Sequence, residues 1–326
     1  MAAAEQIKSL IKSFSKGDDS RFYATAMQIA AAEARKGHQV LAEELKKIIQ
    51  DSKKSKIDNN AIKHLPVNSA QKELNDLLEF TRPDDKLKDM VLSNHLRKSI
   101  QRILDEQRQV EKLRQHNLVP RKKMLLTGPP GCGKTMTARV ISNELNIPLF
   151  IIRLDGLISK YMGESISKLR LVFDTMKELR AVYLFDEFDS IGTTRNQGNE
   201  IGEIKRVLNS FLIQIEKDDS NSLTIAATNM PENLDEALYR RFDDILTYPL
   251  PTEKQIFKYY ERELSNNEII NYDTLLEISR KSVGLNFSDL KNICQDFFKN
   301  IIVYGMKDSS LKFLLDSVSS KKISFR

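Results

Sequence analysis

The chain has 326 residues, 40% of them hydrophobic, which exceeds one ordinary domain and suffices for a core in each of two or three folding units. No run approaches the about 18 apolar residues of a membrane span, and the start from Met1 is broken by charge at Glu5 and Lys8, so neither a membrane segment nor a secretory signal is expected and a cytoplasmic protein is. The net charge of +6 permits nucleic-acid binding, but the basic residues alternate with acids, as at Glu43, Glu44, Lys46 and Lys47, and Trp is absent, which reads as solvated helix faces instead.

Residues 1–50 read as a small all-α domain. Ile7, Leu10, Ile11 and Phe14 recur at helical spacing until Lys16 to Ser20 interrupts them. A second helix carries Phe22, Ala26, Ile29 and Ala30 inward and stops at Gly37; Leu41, Leu45, Ile48 and Ile49 outline a third. A linker is expected over 51–67, marked by the Lys-, Ser-, Asp- and Asn-rich stretch from Asp51 to Asn60.

A nucleotide-binding α/β domain with leading helices is expected over 68–251. After Ser93 a long amphipathic helix presents Leu96, Ile100, Ile103, Leu104 and Val110 on one side. Short β-rich runs then alternate with helical segments at 122–127, 149–154, 181–186, 223–229 and 245–250. That alternation predicts a parallel five-stranded sheet with helices on both faces and ligands at the carboxyl ends of its strands. From 252 to 326 the strands cease and a helical lid is expected, with Leu290, Ile293, Cys294, Phe297, Phe298, Ile301 and Ile302 forming a buried stripe.

The sharpest motif is Gly128-Pro129-Pro130-Gly131-Cys132-Gly133-Lys134-Thr135, between a strand and a helix that opens at Met136. Glycines let the backbone curl its N–H groups around a phosphate, and the helix aims its positive end at the same anion. Lys134 supplies a point charge for β- and γ-phosphates, and the Thr135 hydroxyl suits Mg²⁺. Cys132 sits where a helix N-terminus lowers thiol pKa, yet with only two cysteines, the other at 294, a tolerated small residue is the favoured reading over an oxidisable thiol.

The apolar strand Val182 to Phe185 ends in Asp186 and Glu187, two carboxylates with separable tasks. Asp186 can hold Mg²⁺, while Glu187 can polarise the water that attacks the γ-phosphate. Thr228-Asn229 closes the next strand, where the Asn229 amide can orient that water.

In this order the phosphate loop, Tyr183 to Glu187, and Ala226 to Asn229 followed by Leu234 to Phe242 resemble the AAA family of ATPases, and within it the clade marked by a second region of homology. The resemblance covers roughly residues 85 to 305 and implies ATP and Mg²⁺ as ligands and a homo-oligomer, expected as a hexameric ring. It implies that Arg240 and Arg241 are arginine fingers reaching a neighbouring subunit's site. Lys160, Tyr161 and Met162 resemble an aromatic pore loop that grips extended polypeptide, and 195–203 a second one. Val91 and Leu92 align with backbone near adenine in relatives. Gly284 to Asp289 resembles the family's lid motif, with no arginine to serve as a lid sensor and with Phe287 where relatives carry a small residue.

The implied activity is ATP-fuelled remodelling or unfolding of a protein substrate. The domain order also resembles bacterial stand-alone members paired with a subtilisin-like serine protease, some in phage defence. A nucleic-acid-dependent motor or loader and a nucleotide-gated scaffold are the alternatives.

Overall fold

The computed structural model describes residues 19–35, 37–39, 42–47, 74, 76–157, 164–189, 199–264, 271–305 and 310–323. The chain divides between Val67 and Asn68 into two compact units.

In the first unit, helix α1 spans Asp19–Arg35 and buries Ala30, with Ala26 and Ile29 half-buried beside it. Gly37, at φ +90°, donates its N–H back to the Ala34 carbonyl and ends the helix. The helix expected over Ile7 to Phe14 lies outside the described residues.

The second unit is built on a six-stranded sheet: β1 (Leu78–Thr81), β2 (Lys123–Thr127), β3 (Leu149–Ile152), β4 (Val182–Phe185), β5 (Leu223–Thr228) and β6 (Asp244–Thr247). The order is β1-β3-β4-β5-β2-β6, and β2 to β6 run parallel, so each is joined to the next by a crossover. Met124, Leu125, Leu126, Val182, Leu184, Ile225 and Ala226 are fully buried, the continuous apolar signature of strands covered on both faces.

The expectation of five parallel strands needs correction. β1 runs antiparallel to β3, pairing Leu78 with Ile152 and Thr81 with Leu149, and makes the sheet mixed. This strand has four residues, and Pro83 follows it closely, so it carries too little periodicity to be legible. The strands also end earlier than the apolar runs suggested: Asp186 and Asn229 stand just past β4 and β5, off the ladder, with their side chains free to converge.

The long helix after Ser93 is two helices. The Ser93 hydroxyl caps α2 (Asn94–Arg108) by accepting from the Leu96 N–H at 3.3 Å, and Leu96, Ile100, Ile103 and Leu104 are buried. At Gln109 the backbone leaves helical geometry, and Val110 starts the separate α3 (Val110–Gln115), which buries no residue.

Between the strands lie α4 (Lys134–Leu145), α5 (Leu154–Leu157), α6 (Glu164–Glu178), α7 (Asn199–Lys217) and α8 (Glu236–Tyr239). Four helices follow the sheet: α9 (Glu253–Leu264), α10 (Tyr272–Lys281), α11 (Phe287–Tyr304) and α12 (Ser310–Ile323). Their core gathers Ile256, Tyr260, Ile278, Leu290, Ile293 and Phe297. Ile302, expected in this stripe, is 82% exposed. It lies twelve positions after Leu290, about 120° around a helix that turns about 100° per residue, and so falls outside the apolar face. No helix among the described residues is long and apolar enough to cross a membrane.

Candidate active site

The segment from Gly128 to Thr135 leaves β2 and enters α4 as a tight loop. Gly128 has φ +131°, and a Cβ there would lie 2.1 Å from the Tyr248 carbonyl oxygen, so only glycine fits. Gly131, at φ +71°, packs against the lid: a Cβ on it would meet the Asn286 side chain at 2.4 Å. Asn286 is the N-cap of α11, and the Ser288 N–H donates to the Gly131 carbonyl at 3.3 Å. The lid helix is thereby docked directly on the loop.

Lys134 is buried and donates three hydrogen bonds: to the Gly128 carbonyl at 2.6 Å, the Pro129 carbonyl at 2.9 Å and Asn229 Oδ1 at 2.8 Å. Burial lowers its pKa, and the Asp186 and Asp189 carboxylates are among the groups that oppose the shift. The next residue, Thr135, donates its hydroxyl to Asp186 Oδ2 at 2.7 Å. Asp186 Oδ1 in turn accepts the Glu187 N–H at 3.0 Å, which holds Glu187 at φ +50°. A left-handed conformation at a non-glycine residue is strained, and here it turns an exposed carboxylate into the cleft.

A cleft of about 910 Å³ opens between sheet and lid. Pro130, Gly131, Cys132, Gly133, Lys134, Thr135 and Met136 line it, as do Asp186, Glu187, Asn229, Val91 and Leu92. Gly128 and Pro129, at the loop's entry, do not line the cleft and reach the site through the carbonyls that hold Lys134. Cys132 is buried, and burial pushes its thiol pKa up, outweighing the lowering by the Lys134 charge. The Thr135 hydroxyl and Asp186 carboxylate form a small, hard oxygen set of the kind that suits Mg²⁺ shared with phosphates.

Asp189, Tyr259 and Arg262 carry no signal in a linear motif. Asp189 accepts from the Thr228 hydroxyl and from the Asn229 N–H, each at 3.1 Å, and so pins the end of β5 beside Lys134. Tyr259 and Phe287 pack at a tilt of 52° with ring centroids 5.7 Å apart on the lid side of the cleft, and the Arg262 guanidinium lies 5.4 Å from the Tyr259 ring centre. Phe287 is thus a wall of the cleft. Finding these contacts requires the lid folded back over the loop.

Arg240 and Arg241 do not line the cleft of their own chain. Arg240 pairs with Glu236 at 3.1 Å on an exposed surface, and Arg241 with Glu216 at 3.1 Å. Lys160, Tyr161 and Met162 lie outside the described residues, as do residues 195–198, while 199–203 open helix α7.

The profile of the "ATPase family associated with various cellular activities (AAA)" matches residues 124–250. An "Uncharacterized AAA family ATPase y4kL" of Sinorhizobium fredii is 34% identical over 311 residues, covering 94% of this chain and 92% of that protein. A katanin p60 ATPase-containing protein of Rattus norvegicus is 36% identical over 190 residues, 54% of this chain and 38% of that protein. This chain therefore spans well under half of that relative. Among solved structures, the FIGL-1 AAA domain superposes with a TM-score of 0.61 at 23% identity, over 79% of this chain and 90% of that one, a likeness of fold.

Proposed function

Starting from the fact that this chain belongs to the AAA family of ATPases, we propose that it hydrolyses ATP at the cleft between sheet and lid and uses the cycle, as a ring of identical subunits, to remodel a protein substrate. Lys134, held at the mouth of the loop, neutralises charge on the β- and γ-phosphates. Asn229, whose Oδ1 lies 2.8 Å from the Lys134 ammonium, orients the attacking water. Glu187 takes a proton from that water as the new oxygen–phosphorus bond forms and the bond to ADP breaks. Mg²⁺, held by Thr135 and Asp186, supplies Lewis-acid charge on the phosphates when bound.

The observation that carries the ring is the position of Arg240 and Arg241. Both stand off their own cleft and pair with acids at least 60% exposed, so a neighbour's nucleotide can recruit them cheaply. A guanidinium arriving in trans is worth roughly 10³- to 10⁵-fold in rate in comparable phosphoryl transfers. On this reading six subunits close a ring, Tyr161 with Lys160 and Met162 grips the polypeptide, residues 1–50 recruit it, and the linker 51–67 gives that domain reach. A subtilisin-like protease acting beside it in phage defence is the partner suggested by resemblance of domain order.

Mixing Lys134→Ala protomers with Arg240→Ala/Arg241→Ala protomers tests the shared site. Activity should appear in the mixture and be absent from either parent. A mixture as inactive as its parents, together with wild-type turnover strictly proportional to protein concentration, rules out catalysis between protomers. Tyr161→Ala should keep ATP turnover and lose processing of an unfolded polypeptide; unimpaired processing removes the threading role.

A further inference from the structure

Both ends of the phosphate loop are held by one residue that belongs neither to the loop nor to any other sequence motif of the site. Tyr248 follows β6 and is almost completely buried. Its N–H donates to the Thr127 carbonyl at 2.7 Å, and its own carbonyl oxygen presses on Gly128 so closely that a Cβ there would sit 2.1 Å away. These contacts fix the loop's entry. At the exit, the Tyr248 hydroxyl lies 2.6 Å from Thr137 Oγ1, and that hydroxyl lies 3.0 Å from the Gly133 carbonyl.

Proton counting gives this relay a direction. When the single Thr137 hydroxyl proton goes to the Gly133 carbonyl, which can only accept, Tyr248 is the donor to Thr137. Thr137 is fully buried, so no bulk water substitutes for either partner, and the two bonds polarise one another. The consequence for the site follows from peptide geometry. In a trans peptide the C=O of Gly133 and the N–H of Lys134 point in opposite directions. The Thr137 N–H and hydroxyl, each 3.0 Å from the Gly133 oxygen, hold it toward Thr137 and Tyr248 and so aim the Lys134 N–H the other way, into the loop where a phosphate is wrapped.

We propose that Tyr248 is a positioning residue for nucleotide binding, which sets the orientation of the Gly133–Lys134 peptide through Thr137 and so tunes the loop for the β-phosphate. The inference rests on reading the loop as the nucleotide site. Tyr248→Phe keeps the ring and removes only the donor, and Thr137→Val keeps the shape and removes the relay.

The test measures ADP and AMP affinity by titration, with thermal unfolding of each variant alongside. AMP is the control because it has no β-phosphate for the loop to wrap. Tyr248→Phe should weaken ADP binding roughly five- to tenfold, the range expected for one buried hydrogen bond, and leave AMP within about twofold. Thr137→Val should do the same, Thr137→Ser should restore wild-type affinity, and the double variant should lose no more than either single one. Wild-type ADP affinity in Tyr248→Phe overturns the proposal. So does an equal loss for ADP and AMP accompanied by a lower melting temperature, which is the mark of a merely structural tyrosine, and so do additive losses in the double variant. Lys134→Ala is run in parallel; if it binds ADP like wild type, the loop is not the site and the inference falls with that reading.

Discussion

The Lys134 ammonium donates to the Asn229 side-chain carbonyl at 2.8 Å, and this bond joins the loop after β2 to the end of β5. Asn229 is itself held by Asp189, so the lysine's position depends on three separate strand ends meeting at one point.

The two partners should fail differently. Lys134→Ala removes the charge proposed to face the phosphates and should lower ATP affinity by at least about tenfold. Lys134→Arg should not restore it, because a planar fork cannot take the place of a compact ammonium in a buried site. Asn229→Ala should leave binding nearly intact and cut turnover roughly 10- to 100-fold. Calorimetric titration beside a phosphate-release assay separates the two, and equal loss of binding in both variants contradicts the assignment of Asn229.

Glu187→Gln keeps the shape and the left-handed backbone while removing the proposed base. Turnover should fall at least about 100-fold with nucleotide affinity unchanged, and the ATP-bound assembly should accumulate. Single-turnover phosphate release measures this; near-normal release means that another group accepts the proton.

Gly128 and Gly284 provide a matched pair of glycines. Both have positive φ, +131° and +97°, but a Cβ on Gly128 would collide with the Tyr248 backbone, whereas nothing lies within 4 Å of one on Gly284. Gly284→Ala should cost about 1 kcal/mol, the backbone penalty alone. Gly128→Ala should cost roughly 2–4 kcal/mol or prevent folding, because strain and a backbone clash combine. Denaturant unfolding of both variants checks the order, and equal losses would show that the clash is relieved at no cost.

Both cysteines should resist alkylation in the folded protein. Burial raises the Cys132 pKa, and burial, reinforced by the Glu263 charge, pushes Cys294 up to about 12. The thiolate is the reactive form, so at pH 8 each should react at least about tenfold more slowly than in the unfolded chain. The rate should climb only above the ordinary thiol range. Iodoacetamide labelling followed by mass spectrometry of the two peptides measures it, and rapid labelling of Cys132 at pH 8 contradicts the burial argument.

Much of the sheet and of the cleft is legible because the relevant signals are short-range. A continuous apolar run such as Val182 to Phe185 marks a covered strand wherever it occurs, and the polar residues that follow are placed at its carboxyl end by chain connectivity alone. Thr135 and Asp186 can therefore be nominated together from the residues alone, and the structure puts them 2.7 Å apart. Strand β1 is not legible, since four residues with no helix of their own take their strand character from pairing with β3. The same holds for Ile302, whose exposure is set by a slow angular drift around α11 that a series of apolar spacings does not register.

What the amino-acid order determined by itself is the local chemistry: a glycine loop before a helix, carboxylates after an apolar strand, an amide after the next. Each depends on residues adjacent in the chain and on backbone preferences that act over a few positions. Only the tertiary structure decided which of these meet and what holds them. Asp189 under Asn229, Asn286 and Ser288 on Gly131, and Tyr248 behind both ends of the loop are contacts between segments 40 to 157 residues apart. Such contacts form because burial leaves no water to satisfy the polar groups, so the fold must supply a partner from wherever the chain has been brought close.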